Sequence, residues 1–571
     1  MSDSSLPTPR GPVTEALLVA LSLAAVYLLV RISPSLAAGA FHDDGVYLAV
    51  GKSLAEGEGY RSLYAIGEPV HAKYPPVLPA LYALLWFLLG DLTPVHGAAI
   101  ALSLVVTAAA AGGVWWLARA RLGLGLPTAL VFALGPFLLE ASVQYFNLAI
   151  SEPYFILLWA LALILFHALA GDPEHPDGVP LPGRVSQDAL SVLLGVTLAA
   201  AVLVRSQGIV LVPAVLLALV LMRVRWKHVA VSTAAAVLPV VAWKLWHARA
   251  LAGGPVGTQP DEGAYVAWVP VGAPGEVFRF LVDLFDSQLR MYGTYMPPHL
   301  SGSWAVGMAL WLAFLGLVFA GIVRSRREHP DLVLTALCSA SVIFLWPWWQ
   351  DRFVLAMLPF LGLLAGTEVE RWARRCPPTA RRAGYAALAV IVGLVLMRQV
   401  EIRRTANAGE DGREFFFHPT YYLQANTAYL IAASRWMEAN TPPDADLLAP
   451  HPVGVWLYTG RRVVNATPAV PDVGPTVWDV PGRFLARRVA EDEPDLLAIW
   501  ALNEAIARDV SVVQQRCPDA LEYLGFTSEY TQVAFYRIHA GDRCLDDSFL
   551  QPARAELERE AAERTGSGRG R

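Results

Sequence analysis

Charge is scarce in this sequence. Only 16% of its 571 residues are Asp, Glu, Lys or Arg, against 55% apolar, and the mean hydropathy of +0.43 is too high for an ordinary soluble enzyme. Other absences narrow the function. There is no Gly-rich nucleotide loop in a strand–helix context, no zinc-binding spacing and no nucleophile elbow, which disfavours a nucleotide-driven enzyme. No basic stripe interleaved with aromatics occurs, and a net charge of −5 with a pI near 6.2 argues against nucleic acid. Cysteine is also scarce, at four. Cys338 lies in an apolar span and Cys376 in a basic loop, which leaves Cys517 and Cys544 as a candidate disulfide pair.

Long apolar runs are plentiful from Thr14 to Met397, and none follows. Each is long enough to cross about 30 Å of hydrocarbon. Basic residues concentrate in alternate loops, at Arg119 and Arg121, Arg184, Arg223 to Lys227, Arg324 to Arg327, and Arg371 to Arg382. The positive-inside rule makes those loops cytoplasmic. Threading spans between them predicts eleven crossings near 14–32, 94–118, 127–145, 151–170, 188–206, 207–222, 229–247, 303–323, 332–347, 353–370 and 383–398. The first span is long for a signal peptide and its flank offers only Arg10, so retention is expected despite the small residues Ala38-Gly39-Ala40. Val77 to Gly90 is too short for a crossing, contains Pro79, and is read as an interfacial or re-entrant helix. With the N-terminus cytoplasmic, an odd count places the tail outside, together with loops 33–93 and 248–302. The expected organisation is a transmembrane domain over 1–398, an extracytoplasmic α/β domain over 399–555, and a flexible charged tail over 556–571.

Chemistry-bearing residues gather in the outer segments. Asp43 and Asp44 follow the first span and open a helix. One carboxylate suffices to cap that helix; a second leaves one as general base on an acceptor hydroxyl and the other to orient it. Lys73 precedes Pro75-Pro76 at headgroup depth, where a lipid phosphate sits, although a snorkelling lysine needs no ligand. His71 adds a candidate phosphate donor. Arg205 interrupts apolar sequence at an outer turn, as an ion-pair partner or a ligand. Glu152 opens the fourth span between Ser151 and Pro153. Arg352 follows the aromatic cluster Trp346-Pro347-Trp348-Trp349 and Asp351, and suits either an ion pair or a phosphate fork.

The set Asp43-Asp44, Lys73-Tyr74-Pro75-Pro76, Ser151-Glu152-Pro153 and Arg352 leading to Leu358-Pro359-Phe360 resembles the GT-C superfamily of membrane glycosyltransferases. The likeness is to the bacterial branch that includes protein O-mannosyltransferases and the aminoarabinose transferase of lipid A. It covers Val13 to Met397. The resemblance implies a bacterial inner-membrane enzyme that takes a sugar from a polyprenyl-phosphate carrier and inverts its anomeric centre by direct displacement. Asp43 becomes the catalytic base or acceptor-orienting group, and Lys73, with Arg205 or Arg352, neutralises the leaving phosphate. Tyr74 joins the binding residues. Many members have Asp-Glu where this chain has Asp-Asp, which leaves the roles of Asp43 and Asp44 undivided. The acceptor is an envelope lipid, glycan or protein. No cofactor is called for, and a divalent metal is left open. The nearest rival is a lipid-linked oligosaccharide ligase or polymerase; a transporter, which should carry internal repeats and mid-span charges, is more distant.

Overall fold

The computed structural model describes residues 11–29, 36–71, 73–171, 185–253, 274–301, 303–344, 351–408, 419–465, 483–492, 494–500, 504–527 and 533–555. The charged tail 556–571, the aromatic cluster Trp346–Gln350 and residues 254–273 of the second outer loop lie outside them.

Helices stand at all eleven places where a crossing is predicted. Seven are long and apolar enough by themselves: Leu92–Arg121, Glu152–Ala170, Gln187–Val204, Trp226–Ala250, Trp304–Ser325, Arg352–Arg375 and Pro378–Glu401. The pair Leu126–Leu138 and Glu140–Phe146, bent by 56°, makes an eighth. The bend falls at Leu139, whose extended backbone (φ −64°, ψ 140°) interrupts the helical hydrogen-bond ladder. Pro12–Ala25, Ser206–Leu221 and Pro330–Phe344 are shorter apolar helices. Leu21, Phe319, Leu394 and Met397 are exposed on this bundle. Such a surface is stable only where lipid replaces water, so the chain is a multi-pass membrane protein.

The two ends of the bundle differ. At one end the predicted basic loops meet one another: Arg119 pairs with Glu15 at 3.1 Å, Gly125 N–H donates to Glu370 at 2.9 Å, Arg374 donates to Gly123 O at 2.8 Å, and Arg371 pairs with Glu328 at 2.9 Å. At the other end Asp43–Ala55 and Val77–Leu89 pack side by side. A Cβ on Gly51 would lie 3.0 Å from Tyr82 Cβ, so glycine permits the close approach, and Trp86 Nε1 donates to Leu48 O at 2.9 Å. Val77–Leu89 keeps Phe87 and Leu88 exposed on its far side. The sequence after Asp43 reads as an amphipathic helix; instead Asp43 to Gly51 are buried without a break, because the tail helix Pro452–Thr459 packs on Asp43–Ala55 as well.

The tail contains a five-stranded sheet. Its strands are β1 (Leu447–Ala449), β2 (Val463–Asn465), β3 (Leu496–Trp500), β4 (Leu521–Phe526) and β5 (Val533–Ile538), in the order β2-β1-β3-β5-β4. β1 is parallel to β2 and β3, whereas β5 is antiparallel to β3 and β4. Helices Pro452–Thr459, Arg483–Asp492 and Glu504–Arg516 complete an α/β domain, and Pro419–Asn440 leads into it. Leu448, Val464, Leu497, Val513 and Leu521 form its core. Beside them Cys517 and Cys544, 27 positions apart in sequence, form a disulfide with Cα atoms 5.5 Å apart. Replacing both by serine is expected to destabilise this domain by about 3–4 kcal/mol, the loop-closure entropy released to the unfolded chain. Unfolding of the oxidised protein and the double variant measures this; equal midpoints would show the bridge to be incidental.

Candidate active site

The opposite-end helices and the tail enclose a buried cluster of charges. Asp43 is its first member. Its Oδ2 lies 2.5 Å from an Arg352 guanidinium nitrogen, and its Oδ1 accepts a short hydrogen bond from the Tyr74 hydroxyl. Arg352 also reaches Glu152 Oε1 at 3.4 Å, and Arg205 meets the same oxygen at 2.9 Å. Arg205 further donates to Ser151 Oγ at 2.8 Å and to Gln207 Oε1 at 3.2 Å, and Tyr47 donates to Ser151 Oγ at 3.1 Å. Phe353 lies under both guanidinium groups and Phe41 under Arg352. Glu152 is fully buried, and Asp43, Arg205 and Arg352 nearly so. Two acids and two arginines thus compensate one another where neither sign alone is tolerated.

Asp43 and Asp44 divide their roles by direction. Successive helical residues point about 100° apart, so the two carboxylates cannot face one site. Asp44 turns back onto the preceding loop and accepts from the N–H groups of Gly39 at 2.8 Å and Phe41 at 3.1 Å. Burial pushes its carboxyl up to about 7, although those N–H groups pull the other way. Asp44 is the residue that closes the turn. Burial also disfavours the charge of Asp43, yet Arg352, Lys73 and His42, with the Tyr74 hydroxyl, hold its carboxyl well below the usual carboxylate range. Asp43 is the ionised member.

Lys73 is half-buried beside this cluster, its ammonium 5.2 Å from the Tyr74 ring. His71 has a different place from the one expected. It is fully buried, its Nδ1 is 3.0 Å from Ser62 Oγ, and its Nε2 accepts from Tyr74 N–H at 3.1 Å. Burial, with Lys73 nearby, drops its pKa to about 3. A neutral ring with both nitrogens engaged holds the Lys73–Tyr74 turn and donates nothing to a phosphate. Behind it, Tyr60 donates to Tyr74 O at 2.8 Å and packs edge-on to Trp243. Asp43, Tyr74, Glu152, Arg205 and Arg352 therefore converge, Lys73 adjoins them, and Asp44 and His71 support the loops that carry them.

Several contributors escaped the sequence reading. His42 has φ 77° and ψ −62°, a conformation that costs a non-glycine residue on the order of 1–3 kcal/mol and is retained only where surroundings enforce it. The tail supplies that enforcement. Gly39 (φ +82°) sits so close to Gly454 that a Cβ would come within 2.6 Å of the Gly454 Cα. Ala38 N–H donates to Tyr458 Oη at 2.9 Å and Ala37 N–H to Thr427 Oγ1 at 3.1 Å. Lys52 lies between the rings of Trp86 and Trp456, at 5.5 and 5.0 Å. The one legible signal was the triple Ala38-Gly39-Ala40, whose small residues permit the backbone contact.

No protein-family profile matches this chain, and no curated protein sequence matches it either. Solved structures do. It is similar to ArnT from Cupriavidus metallidurans bound to undecaprenyl phosphate, with a TM-score of 0.52 and 14% identity over 93% of this chain and 98% of that one. The apo state of the same protein matches equally, at TM-score 0.52 and 14% identity over 92% and 98%. The Archaeoglobus fulgidus oligosaccharyltransferase in complex with Zn and sulfate follows at TM-score 0.48 and 12% identity over 92% of this chain and 73% of that one. At such identities the likeness is one of fold, and it runs almost end to end. In fold, this chain is similar to ArnT over nearly its whole length, a helical membrane bundle carrying a C-terminal α/β domain.

Proposed function

We propose that this chain is a membrane glycosyltransferase that moves a sugar from a polyprenyl-phosphate carrier to an acceptor hydroxyl by inverting displacement. The observation that carries the reading is the buried constellation Asp43–Arg352–Glu152–Arg205, with Tyr74 and Lys73, where helices, loop and tail domain meet. The similar fold of ArnT, whose structure is known bound to undecaprenyl phosphate, supports the carrier class.

The acceptor oxygen attacks the anomeric carbon, the bond from that carbon to the phosphate oxygen breaks, and the acceptor proton passes to Asp43. Without donor, Arg352 holds Asp43 too acidic for a good base. A donor phosphate beside Lys73 and Arg352 shares those cations, which returns basicity to Asp43 when it is needed and places positive charge where the leaving phosphate develops its own. Glu152 keeps Arg205 and Arg352 oriented throughout.

Orientation follows from charge. The end where Arg119, Arg324, Arg371 and Arg374 gather is the cytoplasmic one under the positive-inside rule, in a bacterial inner membrane. The site and the tail then face outward, where the Cys517–Cys544 disulfide is at home. Free thiols at both positions in protein taken from native membranes would reverse this orientation.

Purified protein in detergent, given a synthetic polyprenyl-phosphate sugar and envelope acceptors, should release free carrier phosphate in step with glycosylated product. Lys73→Ala should weaken donor binding by about tenfold, roughly 1.4 kcal/mol, with a further fall in turnover where the ammonium also meets the leaving group. Parental donor binding in that variant would remove Lys73 from the phosphate site.

A further inference from the structure

At the basic end of the bundle stands a second constellation that the transfer reading leaves unused. His167 lies in the last turn of Glu152–Ala170, and His329 and Asp331 flank the start of Pro330–Phe344. His167 Nε2 is 3.1 Å from Asp331 Oδ2, and one ligand atom from each of the three lies within 4.8 Å of the others. Asp331 is fully buried and is held by His167 and the Leu332 N–H, whereas His329 Nδ1 has no hydrogen-bond partner. The three side chains border a cavity of about 10 Å³ walled by Leu117, Leu163, Leu332 and Leu363. That is room for one water-sized guest.

The His167–Asp331 pair leaves the His329 imidazole nitrogen unmatched beside a buried carboxylate, and an unmatched buried polar atom is costly. One divalent cation engages all three groups. Two imidazoles and a carboxylate suit zinc, whose bonds of about 2.0–2.2 Å set tetrahedral ligand atoms about 3.3 Å apart. The His167–Asp331 distance of 3.1 Å already meets that spacing, and a ligand nitrogen of His329 lies within 4.8 Å of both. Two arginines stand near and oppose a cation. Arg121 lines the same cavity but stacks over Trp116 at 5.7 Å, and Arg371 is engaged by Glu328 and Glu368. Their charge is therefore partly spoken for.

We infer that His167, His329 and Asp331 form a binding site for a divalent metal of zinc type, with its fourth position open to the small cavity. The ion staples the end of Glu152–Ala170 to the start of Pro330–Phe344. Its distance from the transfer site is about 22 Å, fifteen residues along one helix from Glu152, so the site is structural and separate from the transfer chemistry.

The test uses the full-length protein in detergent, stripped with a chelator and titrated with Zn2+. One equivalent should bind, survive desalting and raise the thermal midpoint. His329→Gln leaves the His167–Asp331 pair intact, so it should fold, yet it should lower Zn2+ affinity by at least about 10–100-fold, the loss seen even for outer-shell partners. Asp331→Asn should do the same, and His539→Gln, on the exposed rim of the tail sheet, should leave binding unchanged. Failure of the parent to take up Zn2+, or equal uptake by His329→Gln, overturns the inference. Neither result bears on the transfer reading.

Discussion

Asp43→Asn is expected to lower sugar transfer by about 10²-fold or more, the scale of lost acid–base catalysis, while the protein folds and binds donor much as before. The asparagine carbonyl still accepts from Tyr74, and its amide nitrogen turns Arg352 away to Glu152, already at 3.4 Å, so the buried guanidinium keeps an anionic partner that the backbone N–H groups at Asp44 lack. What disappears is the anionic oxygen that takes the acceptor proton. Asp44→Asn should fail in another way. Both oxygens of Asp44 accept from backbone N–H groups, and an amide offers only one acceptor, so one of the Gly39 and Phe41 contacts becomes a donor–donor clash. Its loss should appear in folding yield before it appears in turnover per folded molecule. Steady-state transfer and separately measured donor binding distinguish the two. Near-parental turnover in Asp43→Asn would return that carboxylate to a purely structural role.

The second large effect is expected at Glu152. Glu152→Gln should destabilise the protein by about 3–5 kcal/mol, because removing one partner of a buried ion pair leaves the other uncompensated. Glu152 is fully buried, and among the described residues Arg205, nearly so, pairs with no other acid; Arg352 still has Asp43. The sign of the second step tests the cause. Glu152→Gln combined with Arg205→Met should recover part of the loss, since the stranded charge leaves with its guanidinium. Thermal unfolding in detergent measures both variants. A Glu152→Gln midpoint close to the parent, or a double variant worse than the sum of its parts, would show that solvent reaches this cluster.

These expectations draw unequally on sequence and structure. The helices were legible because the bilayer sets a length and a composition that ordinary folding does not, and each predicted span holds a helix. Val77–Leu89 was set apart for its shortness and its Pro79, and it is a thirteen-residue helix packed on Asp43–Ala55. In the tail, the sequence reads as strands over Asp446–Ala449, Asp495–Trp500 and Gln532–Ile538 and as a short helix over Val453–Thr459, where β1, β3, β5 and Pro452–Thr459 stand, whereas it gives no reading for β2 and β4. β2 is three residues long, and β4 has exposed residues without the alternation that marks a half-buried strand.

Candidate residues at the site were legible one at a time, as charges that apolar neighbours make expensive. Arg205 and Glu152 drew attention for that reason, and they prove to be partners. Their pairing was not legible, because no spacing rule links a turn after one span to the start of another. Nor could sequence divide Asp43 from Asp44, since adjacent carboxylates differ only in the direction the helix gives them. His71 illustrates the same limit. As a histidine beside Lys73 it suggested a phosphate donor, and only burial and the Ser62 and Tyr74 contacts make it a neutral support.

The sequence by itself determined that this chain lives in a membrane, where its spans lie, that its basic loops share one side, and which few charges stand where charge is costly. These are local properties, fixed by hydrocarbon thickness and the price of burying an ion. The tertiary structure alone decided which charges compensate which, which carboxylate faces the candidate site, and that the tail domain closes that site through Gly39 and Gly454. It also brought His167, His329 and Asp331 together from separate helices. Those outcomes depend on distances between segments remote in the chain, and electrostatic and hydrogen-bond energies act over a few ångströms of space, whatever the separation in sequence.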